Sequence, residues 1–465
     1  MGMVAVFDVG KTNVKLSAAS ADGVIVETLS APNVVRDGPP YRHHDLAALE
    51  EWLIDGLSSL AGRFDIDAIA PCAHGSGGVL VDPDGAAMPM IDYEQSLPAD
   101  VEKAYPALAG PFSDRGSGIM LGAAHLARQM LWIEMHWPER FHRAHAFLAT
   151  PQYWAWRLCG VPASEVTSLS AQSHLWSPAG GCPAALVAKR KWQRLIPPLR
   201  PAWDTLGRLK PDIAARTGLA PGTRVLCGIH DSSANFYRYQ AAGLSDLTVV
   251  STGTWIVALT DREAPDPHVE KPGRTCNADV FGRPVPGMLT MGGREFSAIT
   301  AGSNGPASRQ VLEGLVRSRA LAVPFFGSDD GLFPGAARRG RIEGLSAEDP
   351  GARFTLGVLS VALLTAECIE ALPPAETVVL DGSFVQDPLY GACVAALLPH
   401  MRVLVSRSTT GTATGAALLA SHTIRREPAP LELERPEPLH LPELTEYRAC
   451  WRARAKTMET HLDRV

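Results

Sequence analysis

Two pairs of short apolar runs divide the chain into halves of similar pattern. Within residues 4–18 the apolar positions predict two strands, with a polar turn around Gly10 between them. The same pattern returns within residues 247–259, around Gly253. The glycines of the two turns are 243 residues apart, which predicts that one hairpin opens each half and that the domain boundary lies near residue 240.

Helical and strand patterns alternate along the rest of the chain. This order predicts an α/β protein of two domains, an N-terminal domain at residues 1–240 and a C-terminal domain at residues 241–465. The C-terminal domain includes a proline-rich connector at residues 428–442 and a terminal helix. The predicted helices are 46–61, 122–135, 153–158, 231–240, 354–372 and 389–398, the predicted strands are 68–73 and 377–380, and the apolar stripe of the terminal helix is Leu444, Tyr447, Trp451, Met458 and Leu462.

Composition and charge exclude several classes of protein. The 465 residues carry 43 basic and 49 acidic side chains, a net charge of −6, whereas proteins that wrap nucleic acid are usually basic. No run reaches the ~18 uncharged apolar residues of a membrane span, and Asp8 interrupts the apolar start that a signal peptide would need. The eight cysteines form no C-x-x-C pair, as expected of buried thiols in a reducing compartment. We therefore expect a cytoplasmic protein that contacts neither nucleic acid nor membrane.

The first turn, residues 8–13, is rich in groups that bind phosphate. Its Gly-Lys-Thr run is not a P-loop, because that loop needs a glycine where this chain has Ala5 and a helix where residues 14–17 alternate like a strand. A hairpin turn remains, whose backbone N–H groups, hydroxyl, amide and ammonium could contact phosphate oxygens. Asp8, at the end of the strand, could hold Mg²⁺ through water. An ordinary solvated turn is the alternative.

The second turn, residues 251–254, stands at the same place in the second half. Serine, threonine and glycine populate turns of every kind, so one such turn carries little information. A matching polar turn at the start of each half is better explained by a polyphosphate held between the two domains than by two unrelated turns.

Asp231 follows an apolar run at residues 225–229 and begins a predicted helix. Aspartate is favoured as a helix N-cap, which gives this residue a purely structural explanation. A carboxylate at a domain boundary also has the reach to accept a proton from a hydroxyl group in the cleft, as a general base must. The residues leave both roles open, and the two roles are compatible.

Taken together and in order, five segments between residues 4 and 420 resemble the FGGY family of carbohydrate kinases. Each motif is modest alone, but their order over about 400 residues is specific. The segments are Asp8 to Asn13; Ala73-His74-Gly75 with Pro89-Met90-Ile91-Asp92-Tyr93; Gly228 to Ala234; Ser251 to Trp255; and Leu380-Asp381-Gly382-Ser383 with the run from Gly411 to Ala417.

The resemblance implies an actin/hexokinase/Hsp70-like (ribonuclease H-like) ATPase fold, with two α/β domains that close over ATP and a small sugar in the cleft between them. It implies transfer of a phosphoryl group from ATP to a sugar hydroxyl with Mg²⁺. Asp231 then matches the catalytic base and also contacts sugar, and Asp8 matches the carboxylate near the metal and the nucleotide. The other implied nucleotide contacts are Gly10, Lys11, Thr12, Asn13, Ser251, Thr252, Gly253, Thr254, Gly382, Ser383 and Gly411, and the other implied sugar contacts are His74, Gly75, Asp92, Tyr93 and Arg294.

The chain departs from the family pattern in ways that bear on substrate. Lys11 stands where a small residue is common, which offers a cation to a phosphate, and Ser383 interrupts the glycine run expected under the adenosine. The run at residues 292–296 is similar to the ketose and deoxyketose kinases, fuculokinase-like and rhamnulokinase-like, whose substrates are of the L-fuculose, L-rhamnulose, xylulose or ribulose type. The same fold also serves nucleotide-gated ATPases and sugar-sensing binding proteins without kinase turnover, which stay as the alternative. The oligomeric state is left open, with a homodimer as one option.

Overall fold

The first half of the protein is built on a mixed sheet of seven strands. The computed structural model describes residues 2–120, 122–327, 331–345 and 349–456. Three small sheets and ten helices surround the large sheet among the described residues of this half. The strands are β1 Met3–Val9, β2 Asn13–Ala19, β3 Ile25–Pro32, β4 Val35–Arg36, β5 His43–His44, β6 Ile66–Ala73, β7 Gly78–Asp82, β8 Gly85–Ala86, β9 Met90–Ile91, β10 Ala146–Ala149, β11 Trp176–Ser177, β12 Cys182–Pro183, β13 Thr205–Arg208, β14 Arg224–Leu226 and β15 Ile229–His230. The helices are α1 Leu46–Ala61, α2 Ala99–Ala104, α3 Phe112–Arg115, α4 Leu126–His136, α5 Pro138–Arg143, α6 Thr150–Cys159, α7 Val166–Ser170, α8 Ala185–Lys189, α9 Pro211–Thr217 and α10 Asp231–Ala241.

The second half is built on a sheet of six strands, covered on one side by a long buried helix. The strands are β16 Leu247–Thr252, β17 Ile256–Thr260, β18 Arg274–Ala278, β19 Pro284–Thr290, β20 Leu321–Val323, β21 Arg341–Glu343, β22 Thr377–Gly382 and β23 Arg402–Val405. The helices are α11 Gly292–Thr300, α12 Arg309–Ser318, α13 Pro350–Glu370, α14 Pro388–Leu397, α15 Gly411–Leu418 and α16 Leu444–Lys456.

The two large sheets share one topology. In the first, the strand order β3-β2-β1-β6-β14 has an antiparallel hairpin pair followed by parallel strands. In the second, the order β19-β17-β16-β22-β23 repeats the same directions. The prediction that a hairpin opens each half is confirmed, since β1–β2 and β16–β17 occupy equivalent places in their sheets.

Strand β1 is buried on both of its faces, which places the first turn deep in the molecule. Ala5, Phe7 and Val9 pack in a cluster with α1, whereas Val4 and Val6 pack in a cluster with residues of α15 from the second half. Successive side chains of a strand point to opposite faces, so both faces of this strand need apolar residues. The nearly unbroken apolar run before Asp8 is the result.

Helices α10 and α15, one from each half, cross between the two sheets. At Gly415 the helices approach so closely that a Cβ atom would overlap the carbonyl oxygen of Ala234. The buried side chains of this contact are small, chiefly the alanines 413, 416 and 417 of α15. Because only small residues allow two backbones this near, the sequence at this crossing is fixed by packing.

Most predicted elements are found within a few residues of their predicted bounds, and the differences have physical causes. The helix predicted at 122–135 is α4, which begins at Leu126, because His125 uses its Nε2 atom to accept the N–H of Met120 and holds the preceding segment in an irregular loop. The sequence prediction omitted β3, the β18–β19 hairpin and β23, along with the short strands. Met458 and Leu462 of the predicted terminal stripe lie outside the described residues, while Leu444, Tyr447 and Trp451 are buried on α16. The domain boundary near residue 240 falls within the last turn of α10 and stays a prediction.

Helix α13 is long and apolar enough to cross a membrane by length and composition, with a mean hydropathy of 1.6 over its best window. In the protein, 83% of that window is buried. The helix packs on β17 and β19 in the core of the second half, which is the ordinary explanation of such a pattern in a buried helix.

Candidate active site

Three parallel strands of the first sheet end at one place and bring three predicted site residues together. Strand β6 lies between β1 and β15, and its Cys72 is in register with Asp8 on one side and with Ile229 on the other. The residues that follow, His74 after β6 and Asp231 after β15, therefore leave the sheet at the same edge as Asp8. In open α/β sheets this carboxyl edge is where ligands bind.

Asp231 is held by one oxygen and leaves the other free. Its Oδ1 atom accepts the backbone N–H of Ser232 at 2.5 Å and lies 3.1 Å from Nε2 of His230. Among the described contacts Oδ2 has no partner, and the side chain is 31% exposed. The carboxylate is thus oriented by its neighbours, with an acceptor atom directed away from them, as a general base requires.

The N-cap role considered for Asp231 is wrong. The residue is the first of α10, and the cap position is taken by His230, whose backbone is extended. An N-cap aspartate would accept an N–H from the second or third helical residue, whereas the carboxylate of Asp231 accepts from Ser232 directly after it. In the first turn of α10 the charge of the aspartate can still favour the helix, but the side chain does not cap it.

His230 is a positioning residue that the sequence prediction did not single out. Its Nδ1 atom lies 3.0 Å from Oγ of Ser233, and its Nε2 atom faces Asp231, so the ring bridges the carboxylate and the helix. Burial lowers the pKa of His230, opposed by the charge of Asp231. A neutral ring with its proton on Nε2 donates to Asp231 and accepts the hydroxyl hydrogen of Ser233.

Asp8 is an unusually basic carboxylate. Burial raises the pKa of Asp8 to about 7, the nearby charge of Asp231 acts in the same direction, and Lys15 opposes both. Lys15 is directly opposite Asp8 in the β1–β2 ladder, and sequence reasoning missed it because it is one of the polar positions of an alternating strand. Two carboxylates near each other with one lysine attract further positive charge, and a divalent cation would supply it.

We expect Asp8→Asn to stabilise the protein at alkaline pH. Because the folded-state pKa is above the unfolded value, ionisation of Asp8 opposes folding, increasingly so as the pH rises from 4 to 7. Without the ionisable group, Tm at pH 8 should rise by about 2–5 °C, and the difference should shrink towards pH 4. Thermal unfolding of the metal-free protein across this range measures the effect. Asp55→Asn on the exposed face of α1 is the control; an equal shift in both variants, or a difference independent of pH, contradicts the prediction.

His74 has two ring nitrogens without partners. Among the described residues neither Nδ1 nor Nε2 makes a hydrogen bond, although both atoms are buried. Burial lowers the pKa of His74 to about 3, with His44 and Lys11 acting in the same direction, so the ring is neutral and offers one donor and one acceptor. Its ring centre is 5.4 Å from that of Tyr93. Buried polar atoms without partners are rare, and a hydroxylated ligand would satisfy them.

Lys11 pairs with the predicted sugar segment. Its ammonium forms a short ion pair with buried Asp92 and stands over the ring of Tyr93, 5.1 Å from the ring centre. Nη2 of Arg42 lies 3.3 Å from the other oxygen of Asp92. The pKa of Asp92 is lowered because the favourable contacts with Lys11 and its neighbours outweigh burial. Lys11, which the sequence predicted to contact a phosphate, thus connects the first turn to residues 92–93.

The second turn is locked to strand β22. Gly382 has φ +96°, and a Cβ atom there would overlap the backbone of Thr252. The hydroxyl of Thr252 donates to the carbonyl oxygen of Asp381 at 2.7 Å and accepts the N–H of Phe384 at 3.1 Å. Glycine is required at residue 382 both for the left-handed backbone and for the close approach. The two predicted nucleotide segments, 251–254 and 382–383, therefore form one rigid unit.

Two cavities lie beside the second turn. The larger, about 710 Å³, lies between Tyr93 and the 117–120 loop of the first half and Trp255 of the second. The smaller, about 650 Å³, lies in the second half and is lined by Gly253, Ser383 and aromatic rings. Among the described residues, those that line both cavities are Glu94, Thr254 and Arg294. The rings of the smaller cavity are those of Phe296, Phe354, Phe384 and Tyr390.

Several predicted site residues do not line either cavity. Asp8, His74 and Asp231 are absent from both walls, although Tyr93, which belongs to the wall of the larger cavity, contacts His74. Gly411 begins α15 and faces α10, where a Cβ atom would come within 2.5 Å of Oδ1 of Asn235. The contacts with nucleotide or sugar assigned to these residues stay predictions. The predicted site residues that line neither cavity are Asp8, Gly10, Lys11, Thr12, Asn13, His74, Gly75, Asp92, Asp231, Ser251, Thr252, Gly382 and Gly411.

Comparison with known families agrees with the topology. Residues 3–236 match the N-terminal domain model of the FGGY family of carbohydrate kinases, and residues 244–428 match the model of the carbohydrate kinase FGGY C-terminal domain. The chain belongs to the FGGY family. The actin/hexokinase-like ATPase fold in two α/β domains, predicted from the sequence, is confirmed.

Similar proteins include several sugar kinases. The chain is 26% identical over 288 residues to the L-fuculokinase of Escherichia coli K12, a match that spans 60% of this chain and 61% of the relative's length. It is 30% identical over 148 residues to the xylulose kinase of Bacillus subtilis 168, across 29% of this chain and 27% of that one. A carbohydrate kinase from Novosphingobium aromaticivorans superimposes with TM-score 0.87 at 29% identity, covering 98% of this chain and 99% of the other. The xylulose kinase of Rhodospirillum rubrum, at 18% identity and TM-score 0.80 over 99% of both chains, shows the shared fold.

The donor set fits a hydrated divalent cation and not an all-protein metal site. The described residues contain no group of three or more His, Cys, Asp and Glu side chains placed to hold a metal. Mg²⁺ commonly uses one or two carboxylates, water and substrate phosphate oxygens. Asp8, which has a raised pKa beside Asp231, supplies such carboxylate oxygens.

Proposed function

We propose that this protein is an ATP-dependent kinase that phosphorylates a hydroxyl group of a small sugar, with Asp231 as the general base. The observation that carries the proposal is the free Oδ2 atom of Asp231 beside Asp8, at the carboxyl edge of the sheet. Membership of the FGGY family supports it. The match to the L-fuculokinase spans about three fifths of that relative's length, so the activity is assigned as a proposal.

The second half is proposed to hold the nucleotide. Gly253 and Thr254 of the second turn, together with Ser383, line a cavity that also contains aromatic rings, which suits a phosphate chain followed by a purine. Ser383 and Phe384 line that cavity in place of a glycine run. The base would then pack against Phe384 rather than against bare backbone, which is how this chain accommodates its departure from the family pattern.

The first half is proposed to hold the sugar. The unpartnered nitrogens of His74 offer one donor and one acceptor to hydroxyl groups, and Tyr93 closes the same region from the cavity side. The carboxylate of Asp92 is held in place by Lys11 and Arg42. A polar set of this kind selects a substrate by the hydroxyl groups that it pairs with, since a missing partner leaves a buried group unsatisfied.

In the reaction, the sugar hydroxyl oxygen forms a bond to the γ-phosphorus as the bond from that phosphorus to the leaving oxygen of ADP breaks. The hydroxyl proton passes to Oδ2 of Asp231, while His230 and Ser232 keep Oδ1 in position. Asp8 would hold Mg²⁺, which would supply positive charge to offset that of the phosphates. Little covalent work falls to the protein, because phosphoryl transfer depends chiefly on alignment and charge.

The substrate is proposed to be a ketose or deoxyketose. The relatives with matching sequence include an L-fuculokinase and a xylulose kinase. A regulator or nucleotide-gated ATPase of the same fold, without kinase turnover, is the second candidate. It needs no base directed towards a sugar, so the exposed oxygen of Asp231 favours the kinase.

A coupled assay of ADP release over a panel of sugars tests the function. The panel comprises L-fuculose, L-rhamnulose, D- and L-xylulose, D- and L-ribulose, erythrulose and glycerol, each with MgATP and with EDTA added as a metal-free control. We expect at least one ketose to raise ADP release by about 10²-fold or more over the rate without sugar. ADP release that is the same with every sugar and with none would refute the kinase and favour the nucleotide-gated alternative.

A further inference from the structure

The wall shared by the two cavities contains an arginine, Arg294, whose guanidinium has one weak acidic contact among the described residues. Arg294 is the third residue of α11, and its side chain is 54% exposed. Within the described part of the chain its nearest acidic partner is Glu94, with Nη2 and Oε1 3.9 Å apart, and no hydrogen bond fixes the guanidinium. Glu94 is itself 45% exposed. Exposed pairs at this separation contribute little, so the arginine is available to a stronger anion.

The backbone of Arg294, by contrast, is fixed against the second turn. The N–H of Gly293 donates to the carbonyl oxygen of Thr254 at 3.0 Å. A Cβ atom at Gly293 would lie 2.5 Å from the carbonyl oxygen of Gly253, so the helix start and the turn touch backbone to backbone. The side chain of Arg294 therefore extends from a fixed backbone beside the proposed phosphate turn.

The other cations near the cleft edge are already engaged. Lys11 is paired with Asp92, and Arg42 contacts both Asp92 and Asp37. Arg294 is the cation among the three described residues that line both cavities, so it lies where the proposed nucleotide cavity meets the cavity walled by Tyr93. During transfer the charge is spread over three equatorial oxygens, and a guanidinium can donate to two of them at once.

We propose that Arg294 is a catalytic residue that binds the transferring phosphoryl group, and that Glu94 holds its guanidinium while the nucleotide is absent. The inference rests on the proposed function. Arg294 forms and breaks no covalent bond: it donates hydrogen bonds to non-bridging oxygens of the γ-phosphoryl group while the acceptor oxygen replaces the leaving oxygen of ADP. Glu94 competes with those oxygens for the same donor.

Arg294→Gln is the first test, with binding and turnover measured separately. We expect kcat with the best sugar of the panel to fall by about 10²–10³-fold, the usual cost of removing one donor to transition-state charge. The Kd for ADP should change by less than about 2-fold, while a non-hydrolysable ATP analogue should lose its advantage over ADP. Arg309→Gln is the matched control, because Arg309 is an exposed arginine near the start of α12 in the same half. It should behave as the unmodified protein does.

Glu94→Gln is the second test, and we expect it to improve the use of ATP where Arg294→Gln impairs it. Removing the competing carboxylate should lower the KM for ATP by about 3-fold, and the gain should vanish in the double variant with Arg294→Gln. A purely structural role for Glu94 would raise KM instead. Unchanged kcat in Arg294→Gln, or equal loss of ADP and analogue binding, overturns the proposal. If the unmodified protein shows no sugar-dependent turnover, the kinase assignment fails, whereas the comparison of ADP with the analogue still decides whether Arg294 binds the terminal phosphate.

Discussion

Asp231→Asn is expected to lower kcat by about 10²–10⁴-fold while nucleotide affinity stays nearly unchanged. The amide is close in size and can still accept from Ser232 through its oxygen, so the start of α10 should be preserved. It cannot take the proton of the sugar hydroxyl. Steady-state kinetics with the best sugar, together with titration of ADP, measures the two effects separately.

The control for this variant is Asp212→Asn, which replaces an exposed aspartate in the first turn of α9. Both substitutions remove one negative charge near a helix start, so a general electrostatic effect would appear in both. Turnover retained in Asp231→Asn would remove this residue from the mechanism. Loss of turnover with equal loss of ADP binding would point instead to a damaged cleft.

Gly415→Val is expected to prevent correct assembly of the two halves. A Cβ atom at this position overlaps the carbonyl oxygen of Ala234, and two helix backbones cannot separate without opening the small-residue layer between the sheets. Overpacking of this kind costs at least about 3 kcal/mol, so Tm should fall by about 6 °C or more, or the protein should be recovered unfolded. Circular dichroism and thermal unfolding of the purified protein provide the measurement.

Gly314→Ala is the matched control for this prediction. Gly314 is inside α12 with open space where the Cβ atom would lie, so alanine should be neutral or stabilising by about 1 kcal/mol. A Gly415→Val protein with unchanged Tm would mean that the α10–α15 crossing adjusts freely. The close approach would then carry no constraint on sequence.

The fold and its two glycine turns could be predicted because both depend on local pattern. A buried strand followed by a polar glycine turn is visible in the sequence at residues 4–13 and again at 247–254, and helix α1 follows directly from its leucine spacing. Of the strands that were not predicted, β3, β18 and β19 lack a continuous run of apolar residues. Strand β3 is an edge strand with half of its residues exposed, and β18 and β19 carry polar and proline residues, so burial gives no continuous apolar run.

The contacts within the site could not be predicted, because they are set by register and by side-chain direction. Lys15 faces Asp8 only because of the ladder between β1 and β2, and His230 reaches Asp231 because the chain turns from β15 into α10. Lys11 has the composition of a phosphate ligand, yet it pairs with a segment 81 residues further along the chain. No spacing rule in one sequence contains these pairings.

The equivalence of the two hairpins has an electrostatic consequence. The place that Asp8 takes in the first sheet is taken in the second by Ser251, whose hydroxyl accepts from the side-chain amide of Asn235 at 3.0 Å. One rim of the cleft is therefore anionic and the other neutral. In the proposed function, the last phosphate of a bound triphosphate would face the anionic rim and the rest of the nucleotide would lie along the neutral one, so countercharge would be needed at one end of the cleft only. The duplicated topology would thus give the cleft a direction.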